Sequence, residues 1–331
     1  MLDDCDSVLM GNMIYRSLVV GLGQIGLGYD LDSAPANRVA TLARAFSVHP
    51  EFELVGGVDL DEARRQLFES RYSLPAYANL ADAIREAKPE IVAIAVPTEA
   101  HYQVFSQVMQ LGTLKAILCE KPLSYDLAEA MEMVALTEKS GVVLFTNYMR
   151  RCDPAIIEVR RRIVSQEIVG QIKGICWYSK GIFNNGSHFL NLFQYWLGEV
   201  RAIEIIKSGR LWDGHDPEPD FRIEFELGEV YFLAASEENF SHYTVELIAT
   251  NGRLRYEKEA MQWQSSVPDK NNAGYVILSK DVEIINSDAP RLQWRVVDQM
   301  ARYLSGESTS VCTGSQGLST LQVLMQIRNK L

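Results

Sequence analysis

The sequence predicts an α/β protein in two parts, a parallel sheet covered by helices followed by a region of half-exposed antiparallel strands. Three observations carry that reading. A glycine motif, Gly21-Leu22-Gly23-Gln24-Ile25-Gly26, follows the apolar run Leu18-Val19-Val20. Buried apolar runs then alternate with helical stretches up to residue 148. Beyond it, apolar and polar residues alternate with the period of a strand that has one wet face.

Residues 18–20 read as a buried parallel strand, and the motif after them is expected to open the first helix. Gly21 permits a tight turn, Gly23 lets the backbone approach a pyrophosphate, and Gly26 lets helix and strand pack. The helix N-terminus, with Gln24 and Ile25 in its first turn, then faces phosphates. A second strand, Phe52–Val58, runs into Asp59, an acid placed to accept hydrogen bonds from an adenosine ribose; its alternative reading is a cap on the next helix. The interval from the glycines to Asp59 exceeds the usual ~20 residues. The surplus, residues 28–37, reads as a loop inserted beside a cofactor site.

Helical stretches at 61–72 and Leu80–Ala87 lead to a buried strand at 91–96, which Pro97 ends. Thr98-Glu99-Ala100-His101 opens another helix, and the strand Ala116–Cys119 delivers Glu120-Lys121-Pro122 at its carboxyl end. Ligands bind at that end in open α/β sheets. A strand at 142–148 completes the sheet. After a helix at 154–165 come half-exposed strands at Ile172–Tyr178, 202–207, 221–226, 230–235 and Thr244–Ala249, and helices at Leu292–Leu304 and 318–331 close the chain. The expected division is a disordered extension at 1–13, a dinucleotide-binding domain at 14–148, and a substrate and oligomerisation domain at 149–331.

Composition narrows the partners. A chain of 331 residues with 47% hydrophobic and 23% charged residues is ordinary for a soluble globular protein. Its net charge of -11 argues against a nucleic-acid surface, which needs clustered cations, and favours a small-molecule partner. The run Arg160-Arg161-Arg162 falls in a helical pattern and reads as a solvated face. Five cysteines, with no CxxC pair and no metal-ligand spacing, read as reduced thiols of a cytoplasmic protein without a metal site. The acidic N-terminus lacks the features of a signal peptide, and no apolar run is long enough to span a bilayer.

With the glycine motif, Pro97-Thr98 followed by His101, Glu120-Lys121-Pro122, Asn147-Tyr148 followed by Arg150-Arg151, and Gly186-Ser187-His188, the chain resembles the glucose-fructose oxidoreductase and inositol dehydrogenase (Gfo/Idh/MocA) family over nearly its whole length. The resemblance implies a Rossmann domain joined to an α/β domain with an open, largely antiparallel sheet. It implies that Lys121 approaches both the nicotinamide and the substrate, and that His188 is the general base for the hydroxyl proton. An imidazole suits that task because its ordinary pKa lies near neutrality. Lys121 read alone is a surface lysine after a strand, and His188 read alone is a buried structural histidine. Pro97, Thr98, His101 and Glu120 are expected on the nucleotide side of the cleft.

Many members of the family carry an aspartate where this chain has Asn184, and another acid where it has Asn191. An amide cannot stabilise an imidazolium as a carboxylate does. Tyr178 and Lys180 are therefore candidates to complete a proton relay, with a sheet-face aromatic and a solvated edge residue as the alternatives. Arg150 and Arg151 read equally as a site for an anionic or polyhydroxylated substrate and as a helix-entry charge pair. The expected function is an NAD(P)-dependent dehydrogenase or reductase of a sugar, cyclitol or nucleotide-linked sugar, with NAD preferred because Asp59 and Asp61 repel a 2′-phosphate; Arg64 and Arg65 argue the other way. The alternatives are an NAD-using hydrolase or epimerase with transient oxidation, and a sensor that keeps the cofactor pocket with reduced catalysis. A homo-oligomer is expected from an exposed sheet face in the second part.

Overall fold

The computed structural model describes residues 14–31, 37–237, 239–258 and 260–331. The extension expected at 1–13 lies outside them. Strands β1 (Tyr15–Val20), β2 (Phe52–Val58), β3 (Ala76–Tyr77), β4 (Ile91–Ile94), β5 (Ala116–Cys119) and β6 (Val143–Thr146) form one sheet in the order β3-β2-β1-β4-β5-β6. Every neighbouring pair is parallel. Ile-Val-Ala-Ile in β4 and Ala-Ile-Leu-Cys in β5 have no polar side chain to solvate, and all eight residues are fully buried. The order reverses between β1 and β4, so their carboxyl ends diverge and open a crevice.

Helices α1 (Leu42–Val48), α2 (Glu62–Tyr72), α3 (Leu80–Ala87), α4 (His101–Leu111) and α5 (Leu127–Ser140) accompany these strands. Asp61, Asn79 and Asp126 cap α2, α3 and α5 by accepting from their first-turn amides. The glycine motif does not open a continuous helix as expected. It makes one helical turn, in which Leu27 N donates to Gly23 O, and the chain then leaves through a single turn at Gly28–Asp30. Helix α1 resumes the same axis, because Leu42 N and Ala43 N donate to the carbonyls of Ile25 and Gly26. Of the loop expected at 28–37, residues 32–36 lie outside the described residues; the described ends leave after the glycine turn and rejoin at α1. Asp30 closes its base: this buried carboxylate accepts from Ala40 N at 2.9 Å, Thr41 N at 2.8 Å and Thr41 Oγ1 at 2.7 Å.

Beyond α6 (Pro154–Val164) the chain enters the second sheet: β7 (Ile172–Tyr178), then α7 (Ser187–Leu197), β8 (Val200–Trp212), β9 (Asp216–Phe225), β10 (Gly228–Ala234), β11 (Thr244–Ala249), β12 (Gly252–Glu257), β13 (Ala260–Pro268), β14 (Val276–Leu278) and β15 (Glu283–Ile285). The order is β14-β13-β12-β11-β7-β10-β9-β8, with β15 beside β13. Only β7 and β10 run parallel among the pairs described. The sheet is larger than the sequence suggested, since β8 extends well past 202–207 and the strands β12 to β15 were not read. Strands β14 and β15 have three residues each, too few to show an alternation.

One face of this sheet is covered and the other is open. Along β7, Ile172, Gly174, Cys176 and Tyr178 point inward while Lys173, Ile175 and Trp177 point out. Phe193 and Trp196 of α7 pack on Phe221 and Phe232, whose rings stack at 4.5 Å. On the open face Ile175, Trp177 and Ile248 are each more than 40% exposed. The chain then returns to the parallel sheet. Val296, Val297 and Met300 of α8 (Leu292–Leu304) join the core around Phe46 and Phe145, and α9 (Gly314–Arg328) packs against α5, α7 and β6. The described cysteines, Cys119, Cys152, Cys176 and Cys312, are free and buried. Arg161 and Arg162 pair with Glu158, Glu167 and Glu283 on a surface helix face. No described helix is long and apolar enough to cross a membrane.

Candidate active site

The glycine motif, Asp59, Pro97, Thr98, Glu120 and Lys121 follow the carboxyl ends of parallel strands, and Lys121 meets the segment Gly181–Gly186 that leads into His188. Gly21 follows β1 with φ +98°, and a side-chain carbon there would lie 2.5 Å from the Ala95 backbone. A Cβ on Gly26 would lie 2.0 Å from Gly21 O. Both positions demand glycine. A Cβ on Gly23, by contrast, would meet only the tip of Arg64, at 3.9 Å, so the turn presents bare backbone to open space. The leading amides of a helical turn lack intrahelical acceptors and attract an anion there.

Asp59 stands beside this turn. Its Oδ2 accepts from Leu22 N at 2.8 Å and its Oδ1 accepts from Asp61 N at 2.9 Å. Arg64 lies 3.5 Å from Asp59 and 3.7 Å from Asp61, while Arg65 donates to the carbonyls of Asp59 and Leu60. Bare glycine backbone at a helical N-terminus, with an acid at the end of the neighbouring strand, suits the pyrophosphate and ribose of a dinucleotide. Pro97 and Thr98 form the turn after β4.

Past β5 the Lys121–Pro122 peptide is cis. His101, buried at the start of α4, bridges this turn to the end of β4: Nδ1 lies 2.9 Å from Pro122 O and Nε2 lies 3.0 Å from Val96 O. Burial holds its pKa below the usual imidazole value, with the carbonyl contacts opposing that effect. His101 therefore positions the Lys121 turn. Glu120 is pushed up by burial, against a 2.5 Å bond that its Oε1 accepts from Asn147 Nδ2. Asn147 also donates to Gln293 of α8 at 3.1 Å.

Lys121 Nζ donates to Asn184 O at 2.5 Å and reaches Asn184 Oδ1 at 3.4 Å. Burial pushes its pKa down; the charges of Glu120 and Asp216 raise it, and Arg150 lowers it. Asn184 belongs to Gly181–Gly186, which is wound as a π-helix and runs into α7. His188 sits in the first turn of α7, with the edge of its ring against Tyr148 at 5.7 Å. Its Nδ1 is buried without a partner, as are Tyr148 OH, Asn147 Oδ1 and Arg150 Nε. Burial, then the charges of Lys121 and Arg150, hold His188 well below the usual imidazole range. A neutral histidine beside an ammonium can take a hydroxyl proton.

The two arginines part company. Arg150 lies between Phe189 and Tyr243, 5.1 and 4.6 Å from their ring centres, and donates to Tyr256 OH at 3.1 Å. Its charge is felt at Lys121 and His188. Arg151 is committed elsewhere, to Ser310 O at 3.1 Å and the Tyr195 ring at 4.5 Å. Tyr178 is fully buried and donates its hydroxyl to Pro219 O at 2.6 Å, and burial pushes its pKa well up. Lys180 has φ +63° before the π-helix and contributes its carbonyl to Asn184 Nδ2. Asn191 faces α9, donating to Thr320 Oγ1 at 2.9 Å.

Sequence reasoning missed Asp216. This buried carboxylate of β9 accepts from Phe183 N at 3.0 Å and Asn184 N at 2.9 Å, directly beneath the Lys121 contact. The signal was Asp216-Pro217-Glu218, two acids at strand spacing on one face of an element that continues into apolar Phe221 and Ile223.

Fold and site together define a dinucleotide-binding α/β protein with an ammonium and a neutral imidazole at the cleft. Residues 15–148, the parallel-sheet part of the chain, match the Gfo/Idh/MocA oxidoreductase family model, described as an NAD-binding Rossmann fold. It is 32% identical over 112 residues to trans-1,2-dihydrobenzene-1,2-diol dehydrogenase of Danio rerio, a match covering 34% of this chain and 33% of that one. Against a putative UDP-kanosamine synthase oxidoreductase subunit of Amycolatopsis mediterranei it is 25% identical, covering 59% of this chain and 55% of the relative. The matches thus span less than two thirds of those curated relatives. The fold is shared almost end to end with UDP-N-acetylglucosamine 3-dehydrogenase GnnA from Acidithiobacillus ferrooxidans, at TM-score 0.75 and 16% identity over 96% of this chain and 97% of that one.

Proposed function

We propose that this chain is an NAD-dependent dehydrogenase or reductase that moves a hydride to or from a hydroxyl-bearing carbon of a sugar, cyclitol or nucleotide-linked sugar. The observation that carries the reading is the meeting of Lys121, from the parallel sheet, with the π-helix that leads into His188. The cofactor accepts or donates the hydride. Gly21, Gly23, Gln24, Ile25 and Gly26 hold its phosphates and Asp59 its ribose, with Pro97, Thr98, His101 and Glu120 shaping the nicotinamide side. His188 takes the hydroxyl proton of an alcohol being oxidised, or returns it to a carbonyl being reduced. Lys121 holds the same oxygen and favours negative charge on it. Arg150 supports the cleft's positive potential, which suits a substrate bearing an anionic group.

NAD over NADP is supported by the commitment of Arg65 to backbone carbonyls and by the acids that hold Arg64. The polyhydroxylated substrate class is supported by the named neighbours and relatives, among them the UDP-sugar dehydrogenase and the UDP-kanosamine synthase subunit. The apolar open face of the second sheet supports a homo-oligomer, and the free cysteines support a reducing compartment. Among the described residues His188 has no carboxylate partner, which favours a second reading as a cofactor-keeping sensor.

One experiment decides between them. NADH and NADPH formation is followed at 340 nm over a panel of sugars, cyclitols and nucleotide sugars. The expected result is sustained NAD turnover on at least one member, lowered ~100-fold or more in K121A and H188A with NAD binding retained. Preference for NADP refutes the cofactor reading; no turnover on any member, or full rates in both variants, refutes the dehydrogenase.

A further inference from the structure

Two carboxylates on one face of β9, Asp216 and Glu218, reach the π-helix at Gly181–Gly186. Glu218 accepts from Gly181 N at 3.2 Å and has its own counter-ion, Arg210, whose Nε lies 2.8 Å away. Asp216 accepts from Phe183 N and Asn184 N, and among the described residues no lysine or arginine forms a direct ion pair with it. A buried carboxylate needs compensation from hydrogen bonds and from positive charge nearby. Lys121 reaches Asn184 from the other side, and the charge of Asp216 is felt at its ammonium. Its ammonium is bound to Asn184 O, so Asp216 and Lys121 grip the two peptide groups that flank the Asn184 Cα. The chain is shaped to admit this arrangement: Gly181 has φ +79°, and a Cβ on it would lie 2.0 Å from Asp216 Oδ2.

We infer that Asp216 is a positioning residue for Lys121, fixing the seat of its ammonium through the Asn184 peptides and supplying its counter-charge. Asn184 then needs no carboxylate of its own. The inference rests on the reading of Lys121 as the group that holds the reacting oxygen. Burial disfavours the ammonium; Glu120 and Asp216 oppose that, while Arg150 adds to it, and His188 faces Lys121 from α7. Around Asp216 itself stand His215, Tyr125 and Tyr178.

The test follows Lys121 directly in the full chain. Lysines are reductively methylated with a carbon-13 label, and the Lys121 resonance is identified by its loss in K121R. The midpoint of its pH titration is expected to fall by about one unit in D216N. In N184D/D216N it returns toward wild type, because the side-chain oxygen at position 184 lies 3.4 Å from Nζ. An unmoved midpoint in D216N, or a lowered one that N184D fails to restore, overturns the inference. A purely structural role for Asp216 would not be repaired by a charge at position 184. Should D216N not fold, the reciprocal measurement decides: the labelled Asp216 carboxyl must titrate at higher pH in K121M than in wild type, and an unchanged value refutes the coupling. No substrate enters these titrations, so their failure leaves the dehydrogenase reading standing, and a failed substrate panel leaves their result intact.

Discussion

His188 is where residue-scale chemistry is most exposed to test. Its imidazole is held neutral by burial and by two cations, so its folded pKa lies well below the ordinary 6.5. The unfolded chain takes up a proton near 6.5 that the folded chain refuses, so this residue contributes no penalty above that pH and an increasing one below it. Urea unfolding of wild type and H188Q is expected to give parallel stabilities at neutral pH. As pH falls below 6.5, wild type should lose up to ~1.4 kcal/mol per pH unit that H188Q keeps. Identical pH slopes would mean that His188 is not buried as a neutral base. The glycine motif and the family resemblance singled out Gly21, Gly26, Asp59, Lys121 and His188 in the sequence, and the backbone at Gly21 and Gly26 leaves no room for a side chain. Tyr178 and Arg151 were not separable in that way. A tyrosine aimed at a backbone carbonyl and one aimed at substrate look alike until the strand's inward face is known. Asp216 was illegible for the converse reason, since its partners are backbone amides more than thirty residues away in the chain.

At the scale of elements, the split first helix and the π-helix before α7 depart most from a regular dinucleotide-binding fold. The long interval from the glycines to Asp59 located the insertion but not its mechanism, because the bonds from α1 back to Ile25 and Gly26 skip the loop entirely. Asp30 is the closure. Replacing it in D30A leaves the buried Thr41 amide and hydroxyl and the half-buried Ala40 amide without their acceptor. The expected cost is about 2–4 kcal/mol in denaturant unfolding, with a proportionate loss of NAD affinity as the glycine turn loosens. A loss under ~0.5 kcal/mol would show that the loop base is held by other contacts. Strands β4 and β5 were readable because burial on both faces leaves only apolar residues. Strands β14 and β15 escaped because three residues each are too few to show a period.

Across the whole molecule, the candidate site is shared between two sheets that the sequence presented as consecutive textures. The return of α8 and α9 onto the parallel sheet ties the halves together through Gln293 to Asn147, Asn191 to Thr320, and the bridge between Phe145 and Thr313. A change of periodicity marks where the second sheet begins, but it cannot announce that later helices fold back, since their amphipathic faces fit either sheet. That connection brings the π-helix to Lys121, and on the proposed reading one half supplies the cofactor cradle and ammonium while the other supplies the base. Hydride transfer at this junction is the central claim. Its most direct test is a single turnover with a substrate from the panel carrying deuterium on the carbinol carbon, followed by mass spectrometry of the cofactor. The account predicts deuterium on the nicotinamide ring in wild type and its near absence, on the same timescale, in H188A. Deuterium appearing equally fast in H188A, or never reaching the nicotinamide in wild type while substrate is consumed, would contradict it.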